Sequence, residues 1–339
     1  MKNNISVISL IALCVLSLIV GIFNGMPSYK NYPESQVKKK MSKLLTISTN
    51  RVALITIDGI IDSNEKANAF SNEFNAQAAL KALQQAGEDE NIKGIIIKMN
   101  TPGGTVGMSQ NIYNEVLRIR KIKPVVVSMQ DLAASGGYYI ASGADRIIAL
   151  GGTLTGSIGV IFSTMDVHEL LADKLSVYPN VIKSGKHKDI GSAYRRMTPE
   201  DRALLSNIVQ DSYSQFLSAI KNGRIDRNDT YTAQKRNISF NVLKKYADGR
   251  IFTGNQAYKL GLVDQIGDMY VAQDVINSMI NQKNKTHAEI ELVPYSKMNS
   301  LNEILFGASE ALFNNNAGVM DSLIPTSIKY SKTPLYLWE

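Results

Sequence analysis

One cysteine, three histidines and a single tryptophan in 339 residues leave several protein classes without their raw material. Cys14 alone cannot form a disulfide within the chain. No Cys-x-x-Cys or His-x-x-x-His spacing offers a zinc cage, so no metal site is expected. His168, His187 and His287 are scattered. The net charge of +7 suggests nucleic acid only until it is located. Residues 1–50 hold six lysines and one acid, or +5, which leaves +2 for residues 51–339. A basic face for phosphate backbones has little to draw on, and nucleic acid is not an expected partner. Long polar or low-complexity tracts and internal repeats are lacking too, which excludes disordered and solenoid classes.

What is present begins with residues 5–23, ISVISLIALCVLSLIVGIF, nineteen positions without a charge. As a helix this run spans roughly 28 Å, close to the hydrocarbon thickness of a bilayer. It is longer than the apolar core of a cleaved signal peptide, and no small-x-small cleavage site follows. Cys14 lies inside the run, which disfavours a lipoprotein. Residues 5–23 are therefore read as a transmembrane anchor after a short tail (1–4) and before a polar basic linker (24–50). Lys38, Lys39, Lys40 and Lys43 follow the span, and by the positive-inside rule they favour a cytoplasmic body.

The body, 51–297, alternates apolar strand patterns with helical ones. Strands are expected at 51–61, 92–100, 124–130, 146–150 and 288–295. Helices are expected at 70–86, from Met108 to Ile119, from about 135, from Thr198 to about Lys221, and over 240–248 and 268–283. Near-continuous apolar strands separated by helices indicate an α/β fold, a parallel sheet covered on both faces. Residues 298–339 form an Asn/Ser-rich tail with apolar clusters.

Chemistry is suggested where strands end. In QDLAASGGYYIASGAD (130–145), Ser135 sits between a strand and a helical pattern, with Gly136 and Gly137 after it. A serine there lies near unsatisfied helix amides, and the Gly136 N–H is placed to hold an oxyanion. Read alone, the segment equally suits a helix-capping serine. Thr101-Pro102-Gly103-Gly104 forms a second glycine turn after a neighbouring strand, and ligands of open α/β sheets bind at that edge. A serine nucleophile needs a base. His168 falls in an amphipathic pattern and His287 in a polar stretch before the last strand. His187 lies among Lys183, Lys186 and Lys188, a cluster that normally forms a solvated face. A lysine serves as base only when desolvation removes its charge. If the stretch were extended, 186 and 188 would share a face, but a turn at Gly185 would break that pattern.

Four segments in order and spacing, NTPGG, DLAASGGYY, TLTGSIGV and IKSGKHKDIGS, resemble the bacterial signal peptide peptidase A (protease IV) family over roughly residues 50–280. The resemblance implies a Clp-protease/crotonase-like fold and a Ser-Lys dyad that requires no cofactor. It implies Ser135 as nucleophile, Lys188 as general base and Ser157 as the hydroxyl that orients the lysine. Gly104 and Gly136 match the oxyanion donors. His187 stands where many relatives carry tyrosine. The chain resembles the short, single-unit form, which implies a homo-oligomeric ring, an octamer, in which a neighbouring protomer supplies the lysine. Peptide substrates, remnant signal peptides above all, are implied. So are a body on the extracytoplasmic side, against the lysine count, and a carboxyl tail that enters the active site. Two alternatives remain. A crotonase-like acyl-CoA enzyme would need neither the serine-lysine pair nor an anchor. A catalytically inactive membrane scaffold would not need Ser135, Ser157 and Lys188.

Overall fold

β-Branched runs with buried residues on both sides dictate the architecture. The computed structural model describes residues 49–63, 76–226, 238–295 and the backbone of 335–337. The expected anchor (5–23) lies outside the described residues. Among the described residues no helix is long and apolar enough to cross a membrane.

The elements, in chain order, are β1 (Thr49–Asp58), α1 (Ala76–Glu88), β2 (Gly94–Thr101), β3 (Gly103–Thr105) and α2 (Val106–Arg120). These are followed by β4 (Val125–Ala134), α3 (Gly136–Ser142), β5 (Arg146–Ala149) and β6 (Leu154–Gly156). After an irregular stretch come α4 (Pro199–Ile220), α5 (Phe240–Tyr246), β7 (Ile251–Thr253) and α6 (Gly254–Leu260). The chain then forms β8 (Gln265–Ile266), α7 (Met269–Asn284), β9 (Glu289–Pro294) and β10 (Leu335–Leu337). The fold is α/β with a largely parallel sheet, as the periodicity predicts. Its order is β7-β6-β4-β2-β1-β9, and β5 joins β4 to β8. Only β7 runs antiparallel within it, against β6.

Successive side chains of a strand point to opposite faces, and the core divides accordingly. Val52, Ile96, Val126 and Ile148 pack on one face against Ala272, Ile276, Met279 and Ile280 of α7. Ala53, Ile55, Ile95, Ile97, Val125, Val127 and Ile147 belong to the other face, covered by α1, α2, α3 and α4. Each fully buried Ile or Val contributes ~1.5–3 kcal/mol on leaving water.

β4 forks the sheet. Its first half, Val126 to Met129, pairs with β5, whereas Leu132 to Ala134 pair with β6. A register shift against β2 between Met99 and Thr101 marks the division. Thr153 secures the fork: its hydroxyl donates to the Gln130 carbonyl at 2.5 Å and accepts from the Leu150 N–H at 3.0 Å. The upper half of β4 thus reaches past the core to carry the site.

α4 starts as Thr198-Pro199-Glu200-Asp201 predicts, with a reciprocal capping box between Thr198 and Asp201. α4 ends at Ile220, beside the expected Lys221, and a wide turn (Lys221–Ile225) follows it. A Cβ on Gly223 would lie 1.9 Å from the Ser142 carbonyl oxygen, so only glycine lets the turn approach α3. Arg224 is fully buried and forms a bidentate pair with Asp264, at 2.9 and 2.7 Å.

Candidate active site

At the carboxyl end of β4 the backbone enters an unusual region. Ser135 has φ 52 and ψ −113. Such a conformation costs a non-glycine residue on the order of 1–3 kcal/mol and persists only where its surroundings enforce it. Here they do: the Ser135 N–H donates to the Gly156 carbonyl at 2.8 Å, and its carbonyl accepts from the Tyr139 N–H at 2.8 Å. A serine on a strained strand-to-helix turn is the arrangement of a nucleophile elbow. Ser135 is 1% exposed, and its Oγ has no hydrogen-bond partner among the described residues. A buried hydroxyl without a partner is costly in a structural residue and is an expected property of a reactive one. That separates Ser135 from a helix-capping serine, since its side chain makes no cap hydrogen bond.

Gly136 opens α3, so its N–H belongs to the first turn, whose amides have no partner within the helix. Gly137 packs against the end of β2, where an added Cβ would stand 2.7 Å from Thr101 Cγ2. Gly104 lies in β3, just after β2. The Ile61 N–H donates to the Gly103 carbonyl and the Ile61 carbonyl accepts from the Thr105 N–H, both at 2.8 Å. Backbone groups alternate sides along a strand, so the Gly104 N–H points away from Ile61. On that side runs β10, antiparallel, with Tyr336 opposite Gly104. A Cβ on Gly104 would fall 1.9 Å from the Ile61 carbonyl oxygen.

Ser157 follows β6 as Ser135 follows β4. It has φ 48 and is 6% exposed, and its N–H donates to the Arg250 carbonyl at 2.8 Å. Ser135, Ser157, Gly104 and Gly136 are thus gathered at the carboxyl edge of the sheet.

Lys188 is not gathered with them. It is exposed, on a run of turns over 184–191, and its ammonium makes no hydrogen bond or ion pair among the described residues. The extended geometry that would align 186 with 188 is absent: the Lys188 N–H closes a turn onto the Gly185 carbonyl at 3.1 Å. Lys183 and Lys186 are exposed, as expected, and each is paired with an acid. Lys183 donates to both Asp189 oxygens at 2.7 and 2.8 Å, and Lys186 pairs with Glu200. Asp201 was legible only as a capping acid. It is also a buried acceptor that the Arg195 guanidinium holds well below the usual carboxylate range. Arg195 and Lys183 do the same for Asp189.

The remaining histidines lie elsewhere. His168 contacts Asp166 on the irregular stretch after β6. His287 is exposed just ahead of β9, at the amino end of the sheet, opposite the edge that carries Ser135. Among the described residues no cluster of His, Cys, Asp or Glu could hold a metal ion.

Comparison with known proteins identifies the family. The profile of peptidase family S49 matches residues 118–285. A putative signal peptide peptidase SppA of Enterococcus faecium is 36% identical over 245 residues, 72% of this chain and 67% of the relative. A putative protease of Synechocystis sp. is 39% identical over 222 residues, 66% of this chain and 72% of the relative. Among solved structures, a 1510-N membrane-bound stomatin-specific protease covers 73% of this chain and 98% of its own. Its identity is 18% and its TM-score 0.43, too loose a likeness to bear on function. With the profile lying over the segments that carry Ser135, Ser157 and Lys188, and relatives this similar over two thirds or more of their length, the chain belongs to peptidase family S49.

Proposed function

We propose that this protein is a membrane-anchored serine endopeptidase with a Ser-Lys dyad, acting on remnant signal peptides and other membrane-associated peptides. The observation that carries the reading is Ser135: a buried, unpartnered hydroxyl on a strained turn, with the Gly136 and Gly104 amides beside it. Lys188 as base follows from the family motif, and Ser157 as its orienting hydroxyl from the matching position on the next strand.

A lysine accepts a proton only when neutral, and desolvation is what neutralises one. On an exposed loop that desolvation has to come from a second copy. The stretch leading to Lys188 favours such a partner: Leu170, Leu175, Tyr178, Val181 and Ile182 are all exposed, the last at 97%. Contiguous exposed apolar surface of this kind marks an interaction site. In the assembled ring, Lys188 of a neighbouring copy takes the Ser135 proton as Oγ attacks the peptide carbonyl. The Gly104 and Gly136 amides stabilise the tetrahedral oxyanion, each worth ~2.7–4 kcal/mol. The lysinium protonates the leaving amine, and the same lysine then activates the water that releases the acyl group. Pairing of β10 with β3 beside Gly104 is what a self-bound carboxyl tail would produce, and it suggests that substrates lie along the same edge. The body lies on the outer side of the membrane, where Lys38–Lys43 meet anionic headgroups at about 1 kcal/mol each.

A fluorophosphonate probe tests the reading. Labelling of wild-type protein, lost in Ser135→Ala, with parallel loss of hydrolysis of a signal-peptide substrate, supports it. Persistent labelling in the variant would remove Ser135 as nucleophile. Retention on coenzyme A resin without labelling would favour an acyl-CoA enzyme, and neither result would favour a scaffold.

A further inference from the structure

The Lys188 amine has no hydrogen-bond or ion-pair partner among the described residues, yet both of its neighbours in sequence are held. His187 approaches Asp201 Oδ1 through Nδ1 at 3.2 Å and Glu200 Oε1 through Nε2 at 3.2 Å. Asp189 accepts from Lys183 at 2.7 and 2.8 Å and from Arg195 at 2.9 Å. The Arg195 guanidinium then forks, its other arm donating to Asp201 Oδ2 at 2.6 Å. One carboxylate thus holds both sides of Lys188: one oxygen of Asp201 takes His187, and the other takes Arg195.

Asp201 is an unusually firm post. It is 2% exposed and accepts from the Thr198 N–H as the third residue of α4, so the helix start fixes its position. α4 is in turn fixed to the nucleophile's own helix, with the Phe216 ring 5.0 Å from that of Tyr139 in α3. Exposed ion pairs are worth little, but removing one partner of a buried carboxylate is costly, so this network resists rearrangement. Successive turns add to it: the Ile190 N–H donates to the His187 carbonyl at 3.1 Å, and the Ser192 N–H to the Asp189 carbonyl at 3.0 Å. Lys188 projects from a clamp whose every other polar side chain between 186 and 189 is occupied.

We propose that Asp201, acting through His187 and Arg195, is the positioning residue for the Lys188 amine. This rests on the reading of Lys188 as base. The clamp fixes where the amine leaves the loop while keeping its own carboxylates away from it, so the ammonium is not trapped in a local ion pair. A guanidinium is needed at 195 because only its planar fork reaches two acids at once. At 187 tyrosine, which the family resemblance places there in many relatives, brings a ring and a hydroxyl donor of its own.

Four variants of the full chain test this: Lys188→Ala, His187→Ala, His187→Tyr and Arg195→Lys. Each is assayed for ring assembly, melting temperature, and kcat and KM on a fluorogenic peptide. His187→Ala and Arg195→Lys are expected to assemble like wild type and to melt a few degrees lower, because buried Asp201 keeps its Thr198 N–H but loses one partner. Their kcat should fall ~10- to 100-fold, the scale of an ångström misplacement, while KM stays within about twofold. His187→Tyr should recover most of the loss. Wild-type kcat in both His187→Ala and Arg195→Lys overturns the clamp. So does a loss that tracks melting or assembly and is not recovered in His187→Tyr. Near wild-type turnover in Lys188→Ala instead overturns the assignment of the base, a distinct failure.

Discussion

Ser135 and Ser157 are held at the same level of adjacent strands by one hydrogen bond, from the Ser135 N–H to the carbonyl of Gly156, at 2.8 Å. Ala134 and Gly156 are register partners, and the next residue on each strand turns to positive φ, 52 at Ser135 and 48 at Ser157. Neighbouring strands lie ~4.8 Å apart, so the two hydroxyl-bearing residues are set side by side by backbone pairing alone. Two strained serines abreast at the active edge make the backbone itself a target for experiment.

Ser135→Ala and Ser135→Gly should both abolish hydrolysis, but they should differ in stability. Glycine adopts φ 52 without the penalty that alanine retains, on the order of 1 kcal/mol. Thermal melting should therefore place Ser135→Gly above Ser135→Ala. Equal melting temperatures would mean that the turn is not strained.

At Ser157 glycine removes the hydroxyl and keeps the backbone. If the hydroxyl orients the lysine, Ser157→Gly should lower kcat at least ~10-fold with KM little changed. Full activity would take Ser157 out of the mechanism.

Gly104 and Gly107 offer a paired comparison within one segment. Gly104→Ala drives a methyl to 1.9 Å from the Ile61 carbonyl oxygen, so β3 must move and its amide with it. Loss of that donor should lower kcat/KM by ~10²–10³. Gly107→Ala meets nothing within 4 Å at the start of α2 and should leave kinetics unchanged while adding up to ~1 kcal/mol of helix stability. Similar kinetics for the two variants would count against an oxyanion role for Gly104.

If substrates lie along β3 as proposed, the tail strand paired there, Leu335–Leu337 with Gly103–Thr105, competes with them. Deleting residues 330–339 should raise turnover of short substrates without altering assembly. Unchanged kinetics would mean that the tail does not block the groove.

Topology is tested on cells. Protease added to intact protoplasts should digest the body. Protection until lysis would return the body to the cytoplasmic side that Lys38, Lys39, Lys40 and Lys43 favour by count.

The sequence exposed the long elements because their signals are local. Apolar runs at 94–101 and 125–129 leave little doubt about strands, and Thr198-Pro199 marks a helix start. The turn at Ser135 was legible for the same reason. The strand does not stop at Gln130, however. It continues through Asp131 to Ala134, because pairing with β2 and β6 outweighs the polar side chains. β6 and β7, three residues each, are too short for any periodicity to register. The wide turn after α4 left no local signal, because it buries Arg224 against Asp264, forty residues away. The charges around Lys188 are exposed, as expected, but their pairing was not legible, because Glu200 and Asp201, which hold Lys186, His187 and Arg195, come from the start of the next helix.

The pairing of β1 with β9 also sets a schedule for folding. β1 is an interior strand, and the residues that satisfy its second side, Glu289 to Pro294, are made some 240 positions after it. Until they arrive, Thr49–Asp58 presents an open edge of the kind that recruits other chains. Sheets closed by such distant segments form slowly. A chain halted between residues 157 and 289 would hold its complete serine turn and still lack a finished sheet. Synthesis must pass Pro294 before the nucleophile stands on a stable support, and chains truncated earlier are expected to aggregate rather than cleave.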